Sequence, residues 1–265
     1  MLVWTRRGRA VVLAVFALIV LVVFAAPIAT VVAAALAGRW TGPLPSDLGL
    51  HNFERALSGE QAASLSVSLQ TALLAGAVAL VLGTWAALAA REAPRWWRRF
   101  TDAVFHLPVA VPSVAIGLGL LIAFNQRPLL LGGTKWIVIL AHSVLVLAYA
   151  FSAVSAALDR VDPNYRQAAE SLGAGPVRVL TRITLPLLLP ALGAAAGLAI
   201  ALSMGELGAT IMVYPATWKT LPVTIFAATD RGDVFDAAAC TTLLVAVTLV
   251  ALLVLGRLRG RAAVR

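Results

Sequence analysis

Six apolar stretches, separated by short polar or basic ones, make up most of this chain. The first runs from Ala10 to Ala37, 28 residues without a charge. The others are Ala62–Ala90, Ala103–Phe124, Trp136–Leu158, Leu187–Val213 and Ala237–Gly256. A helix needs about 20 apolar residues to cross the hydrocarbon of a bilayer. The pattern therefore predicts an all-α polytopic membrane protein with about six spans, organised as one transmembrane domain over residues 1–265. A cleaved secretory or twin-arginine signal is the competing reading of the first run, but its uncharged length exceeds that of a signal core. Pro27 is placed to kink this span. The third run carries Pro108, Pro112, Gly117 and Gly119. A helix broken there must have its freed backbone groups satisfied by neighbours or a water-lined cavity. It reads as a pathway helix or as a simple packing kink.

The polar segments are unequal. Residues 38–61 form a Gly/Pro/polar loop, Arg91–Arg99 a basic loop with Trp96 and Trp97 at the headgroup level, and Asn125–Lys135 a short connection. The segment within 159–186 has more structure written into it. Asp162-Pro163 is an N-cap followed by an N1 proline, and Gly175-Pro176 repeats the signal. Gly173 stands where the first helix needs a left-handed terminal residue. The prediction is a helix, a tight break and a second helix entering the fifth span. Ala168, Ala169 and Leu172 share one face of the first helix, with Tyr165 at its edge. Such a face suits close approach by a partner, although a plain solvated helix–loop–helix would also show it.

Composition agrees with the pattern. The chain is 61% hydrophobic and 12% charged, with a mean hydropathy of +0.92, which excludes an ordinary soluble domain. The net charge of +9 finds its explanation in topology. Of the 21 Lys and Arg residues, fifteen fall in alternate segments: the N-terminal nine residues, 91–99, 160–182 and the tail from Arg257 to Arg265. Only Arg39, Arg55, Arg127, Lys135, Lys219 and Arg231 fall in the others. The positive-inside rule then places both termini and the 159–186 segment in the cytoplasm. Cys240 is the single cysteine and offers neither a disulfide nor a metal cluster. No G-x-x-x-x-G-K-[ST], H-E-x-x-H or G-x-S-x-G sequence occurs, so the energy source and any hydrolysis belong to another chain.

Gln167-Ala168-Ala169, Gly173, Ile183, Leu185 and Pro186 resemble the EAA---G---------I-LP signature of permease subunits of bacterial ABC importers. The resemblance implies a type I permease fold. It also implies that 159–186 forms the cytoplasmic coupling helices that dock on a separate ATPase. Tyr165, Gln167, Ala168, Ala169, Glu170, Leu172, Gly173, Ile183, Leu185 and Pro186 would then make the coupling surface. Gln167 departs from the usual Glu of the motif and removes a charge there. The implied partners are a second permease subunit, identical or a sister chain, two ATP-binding cassette subunits and a periplasmic or lipid-anchored solute-binding protein. ATP and Mg would be held by the ATPase, leaving this chain without a cofactor and without enzymatic activity, in the bacterial inner membrane. Residues 205–239 look most like permeases for 2-aminoethylphosphonate, with molybdate, sulfate, thiamine and ferric-ion permeases as the alternatives.

Glu206 is the one formal acid within an apolar run, and such groups face a cavity or a partner. Its setting, Gly205-Glu206-Leu207-Gly208, resembles a fifth-helix segment of the same permeases. Ser203, Glu206, Thr210, Pro108 and Pro112 are the candidate pathway or gate residues, with helix packing as the other reading of Glu206. A carboxylate is a poor partner for an oxyanion, which favours gate or packing over substrate contact. His106 and His142 read as hydrogen-bonding bridges between helices. Ser66, Ser68, Gln70 and Thr71 line a pathway or join helices. Asp230–Asp233 reads as a solvated turn, with contact to a binding protein as the sharper alternative. Two other classes compete: an intramembrane enzyme using His106, His142 or Glu206, for which no motif exists, and a proton-coupled secondary transporter relaying through Glu206. No inverted repeat supports the latter.

Overall fold

The computed structural model describes residues 5–263; Arg265 of the basic tail lies outside them. The chain opens with α1 (Arg6–Val20), passes through a π-helical turn at Leu21–Ala25 and continues as α2 (Ala26–Leu36). A two-stranded antiparallel hairpin follows, β1 (Ala37–Arg39) paired with β2 (Ser46–Leu48), and then α3 (His51–Ala56). The long helix α4 (Gly59–Glu92) precedes α5 (Arg95–Ala110) and α6 (Ser113–Ala123), which meet at a bend of 105°. Next come α7 (Lys135–Leu158), α8 (Pro163–Ser171) and α9 (Pro176–Val179). A second π turn at Leu180–Thr184 leads into α10 (Leu185–Met204), followed by α11 (Gly208–Val213), α12 (Leu221–Asp230) and α13 (Val234–Ala263). Five helical stretches are long and apolar enough to cross a membrane, and the bent α5–α6 pair makes up to six.

Each π turn ends two residues before a proline, Pro27 or Pro186. Proline cannot donate to the helix ladder, and its ring crowds the carbonyl four residues back. A wider turn at that point moves the carbonyl away and lets the helix continue. The expected kink at Pro27 is therefore a π turn within a continuous rod.

Four boundaries differ from expectation. Arg95–Arg99 is helix and not loop, because Pro94 provides the entry to α5 and only Ala93 and Pro94 separate it from α4. The fifth span stops at Met204, and residues 205–207 form a break between glycines before α11. The loop 38–61 contains the hairpin and α3, and the segment after Val213 contains the short apolar helix α12. These pieces are too short to stand out from the surrounding apolar pattern.

The residues fall into two compact units, Met1–Ala62 with Thr224–Leu244 and Ala63–Val223 with Val245–Arg265. In the first unit, buried Asn52 donates through Nδ2 to the carbonyls of Ala35 (3.0 Å) and Ala37 (2.9 Å), closing the end of α2. Arg55 holds Asn52 Oδ1 and Asp236 Oδ1, each at 2.6 Å, and so ties α3 to α13. In the second unit α7 is central. Phe151, Val154 and Leu158 pack with Ala87, Ala90 and Leu188, while Val146 and Ala150 pack with Ala79 and Ala199. Small residues let these helices approach closely, which is how helices associate where lipid removes the hydrophobic drive. Ser68 Oγ accepts the Leu221 amide (2.7 Å) and Thr71 Oγ1 the Trp218 indole N–H (2.9 Å). These two polar side chains of α4 thus serve as joints.

Gly83 marks the tightest of these approaches: a Cβ there would lie 2.9 Å from the Phe151 nitrogen and 3.1 Å from the Ala150 Cβ. A Cβ on Gly119 would meet nothing within 4 Å. Gly83→Ala is expected to destabilise the detergent-solubilised protein by about 1–3 kcal/mol. Gly119→Ala should be neutral or gain up to about 1 kcal/mol of helix propensity. Thermal unfolding of the pair would show this; equal effects would mean the α4–α7 packing is misplaced.

Candidate functional site

The segment after α7 folds as its punctuation requires. Asp162 caps α8, its carboxylate accepting the Asn164 amide at 2.9 Å, and Pro163 takes the first helical position. Gly173 has φ 83°, the left-handed conformation a side chain would resist. The Ala174 amide donates back to the Ala169 carbonyl (3.0 Å), closing the helix end. Gly175 and Pro176 then start α9.

The face formed by Tyr165, Ala168, Ala169 and Leu172 is largely exposed: Leu172 is 90% exposed, Tyr165 58%, and only Ala169 is half-buried. Tyr165, Gln167 and Ile183 border one recess of about 270 Å³ together with Arg91, Glu92 and Arg166. Glu170, Gly173 and Pro186 are exposed, and Leu185 is half-buried at the start of α10. Ion pairs fasten the segment to its neighbours. Arg166 meets Glu92 of α4 at 2.6 Å and Glu170 of its own helix at 3.6 Å, and Arg98 of α5 meets Asp159 at 2.9 Å.

The second cluster lies where two broken helices meet. Pro112 ends the α5–α6 bend and residues 205–207 separate α10 from α11. The breaks are in contact: a Cβ on Gly208 would fall on Ser113 Oγ, and one on Gly117 would lie 2.6 Å from the Ala209 carbonyl. His142, buried on α7, places Nδ1 2.7 Å from Ser203 Oγ and Nε2 2.8 Å from Thr210 Oγ1. Thr210 donates its hydroxyl to the Glu206 carbonyl at 3.2 Å. A neutral imidazole protonated at Nε2 fits this chain, donating to Thr210 and accepting from Ser203. His142 therefore bridges α7, α10 and α11, as a helix-joining residue should.

Glu206 is not part of a helix. Its Oε1 accepts the Ala209 amide at 2.7 Å and so caps α11. Among the described residues it has no ion-pair partner. Pro108, Ser203 and Glu206 line one cavity of about 170 Å³, alongside Ser113, His142 and Tyr149. Thr210 reaches it only through His142, and Pro112 sits at the bend beside it. Tyr149 and Ser113 were not candidates from sequence; Ser113 follows a helix-starting proline, whereas nothing in the pattern singles out Tyr149. His106 bridges α5 and α7, with Nε2 2.8 Å from Ser152 Oγ. Arg231 lies 3.6 Å from Asp233 in an exposed turn at Gly232 (φ 84°). Among the described residues, no group of three or more His, Cys, Asp or Glu could hold a metal ion.

A helical membrane chain with an uncovered helix–break–helix at one end and broken helices around a small cavity has the make-up of a transport component. The sequence profile of binding-protein-dependent transport system inner membrane components matches residues 79–261. PhnV of Salmonella paratyphi A, provisionally assigned as a 2-aminoethylphosphonate transport system permease, is 45% identical over 261 residues, 98% of each chain. ModB of Escherichia coli, a molybdenum transport system permease, is 34% identical over 58% of this chain and 73% of its own. A bacterial alginate ABC transporter, solved in complex with an alginate-bound periplasmic protein, superposes with a TM-score of 0.76 at 18% identity, covering 97% of this chain and 95% of that one. The chain belongs to the family of binding-protein-dependent transport system inner membrane components, with the fold of an ABC importer permease.

The capping geometry makes a prediction about Glu206. Glu206→Gln keeps an acceptor for the Ala209 amide and should leave stability unchanged. Glu206→Ala should cost about 1 kcal/mol, or about 2–4 °C in Tm for a chain of this size. His142→Leu, which strands the Ser203 hydroxyl and leaves Thr210 only its bond to the Glu206 carbonyl, should cost about 1–3 kcal/mol. Melting curves in detergent would check all three. A Gln variant as unstable as the Ala variant would show that charge, and not capping, holds this residue.

Proposed function

We propose that this chain is the permease subunit of an ABC importer for 2-aminoethylphosphonate or a closely related phosphonate. The observation that carries the substrate is the 45% identity to PhnV along 98% of both chains. ModB matches a smaller share, so an oxyanion such as molybdate is the alternative cargo. The chain itself holds no cofactor and performs no catalysis; ATP and Mg are bound by two cassette subunits. It pairs with a second permease chain, identical or a sister, and receives cargo from a solute-binding protein outside. Both termini and residues 159–186 face the cytoplasm, in keeping with the distribution of basic residues.

The coupling then runs through the exposed face of α8. Closure of the ATPase pair carries Tyr165, Ala168, Ala169, Leu172 and Gly173 with it. The ion pairs Arg166–Glu92 and Arg98–Asp159 pass that displacement to α4 and α5. Helix α5 ends at the Pro108–Pro112 bend, so the cavity lined by Ser203 and Glu206 changes shape as the pathway switches its opening. The uncovered apolar face and the family signature support this route. Gln167 contributes hydrogen bonds there, without the charge an ion pair to the ATPase would need.

Two measurements test the proposal. Calorimetric titration of the solute-binding protein that co-purifies with this chain should show 2-aminoethylphosphonate binding at least tenfold tighter than molybdate or sulfate; the reverse order would replace the substrate. Gly173→Val should abolish uptake in cells, because its φ of 83° is costly for a β-branched residue. Membrane insertion should be normal. Full uptake by that variant would rule out α8 and its break as the coupling element.

A further inference from the structure

We infer that the first half of α5 is a binding site for an anionic phospholipid, built from two free arginines beside an exposed apolar stripe. The helix opens with Arg95-Trp96-Trp97-Arg98-Arg99-Phe100. At about 100° per residue, Arg95, Arg98, Arg99, Asp102 and His106 gather on one side. Two members of that side are engaged with α7 and its end: Arg98 with Asp159 at 2.9 Å, and His106 with Ser152 at 2.8 Å. Arg95 and Arg99 are exposed and, among the described residues, their side chains have neither a hydrogen bond nor an ion pair. They stand one turn apart with both guanidinium groups available.

The adjoining face, about 100° round the helix, is apolar and uncovered. Trp96, Phe100, Val104 and Leu107 follow at i, i+4, i+8 and i+11, with exposures of 67%, 55%, 47% and 64%. Trp97 packs edge-on to Trp96 (5.3 Å between ring centroids) and lies 5.5 Å from Phe100, so the aromatic residues form one continuous surface. From Trp96 to Leu107 the stripe runs about 16 Å along the axis, close to half the ~30 Å hydrocarbon thickness of a bilayer. This surface has the proportions of a lipid. Guanidinium groups give a phosphate paired, bidentate hydrogen bonds. Indole rings settle at headgroup depth, and an acyl chain can lie along Phe100, Val104 and Leu107. A soluble protein docking at the arginines would leave the lower stripe uncovered, which favours lipid as the occupant.

The site also has a mechanical position. The same turn of α5 carries the Arg98–Asp159 pair, and the same helix ends at the bend beside the 170 Å³ cavity. A bound headgroup would anchor the end of α5 nearest the 159–186 segment.

The test is direct lipid binding to the detergent-purified permease, followed by native mass spectrometry, which needs neither the ATPase nor the substrate. Phosphatidylglycerol should bind in preference to phosphatidylcholine. Arg95→Gln with Arg99→Gln should weaken it about 25-fold, from about 1 kcal/mol per arginine near a charged headgroup. Arg95→Lys with Arg99→Lys should bind between the unaltered protein and the Gln variant, since lysine keeps the charge and loses the bidentate pair, and millimolar inorganic phosphate should not displace the lipid. Equal binding of the two lipids, undiminished binding to the Gln variant, or displacement by free phosphate would each overturn the assignment.

Discussion

Inside a bilayer no backbone N–H or C=O can be left to water, and the second unit is arranged around that constraint. A helix satisfies it automatically; a broken helix does not. This chain breaks two helices, at 111–112 and at 205–207, and sets the breaks against each other. Glu206 supplies an oxygen to the Ala209 amide, and Thr210 donates to the Glu206 carbonyl. His142 holds Thr210 and Ser203 together from α7. Where a proline interrupts a span without breaking it, at Pro27 and Pro186, a π turn absorbs the misfit.

The same arrangement accounts for the cavity beside the junction. Two continuous helices crossing there would close the space with side chains. Two broken ones leave about 170 Å³, bordered by the residues that repair the breaks. The groups that hold the fold together are thus also the walls of this cavity. That overlap explains why Glu206 reads equally well as a gate or as a packing residue from sequence. The observed bond to Ala209 assigns it a structural role without excluding it from the pathway wall.

Much of this was legible in the chain. The apolar runs located the spans because their length is set by bilayer thickness. The 162–186 segment announced its helix, break and helix through Asp162-Pro163, Gly173 and Gly175-Pro176, each residue chosen for a backbone state few others adopt. The break at Gly205–Leu207 was hidden, since glycines also serve close packing within spans and the flanking residues stay apolar. The start of α5 was hidden for the opposite reason: an arginine-rich sequence looks like a loop until its amphipathic spacing is noticed. Tyr149 and Ser113 could not be named, because their place in the cavity depends on the angle between α5 and α6.

The proposed coupling requires the exposed face of α8 to be a contact for a separate ATP-hydrolysing chain. Thiol cross-linking measures this directly. A single cysteine at Ala168, in a background with Cys240→Ala, would be treated with a short bifunctional reagent in membranes holding the assembled transporter. The expected result is a cross-link to the ATPase subunit whose yield changes when ATP is added. Labelling of that cysteine by a membrane-impermeant reagent from outside intact cells, with no ATPase adduct, would contradict the account.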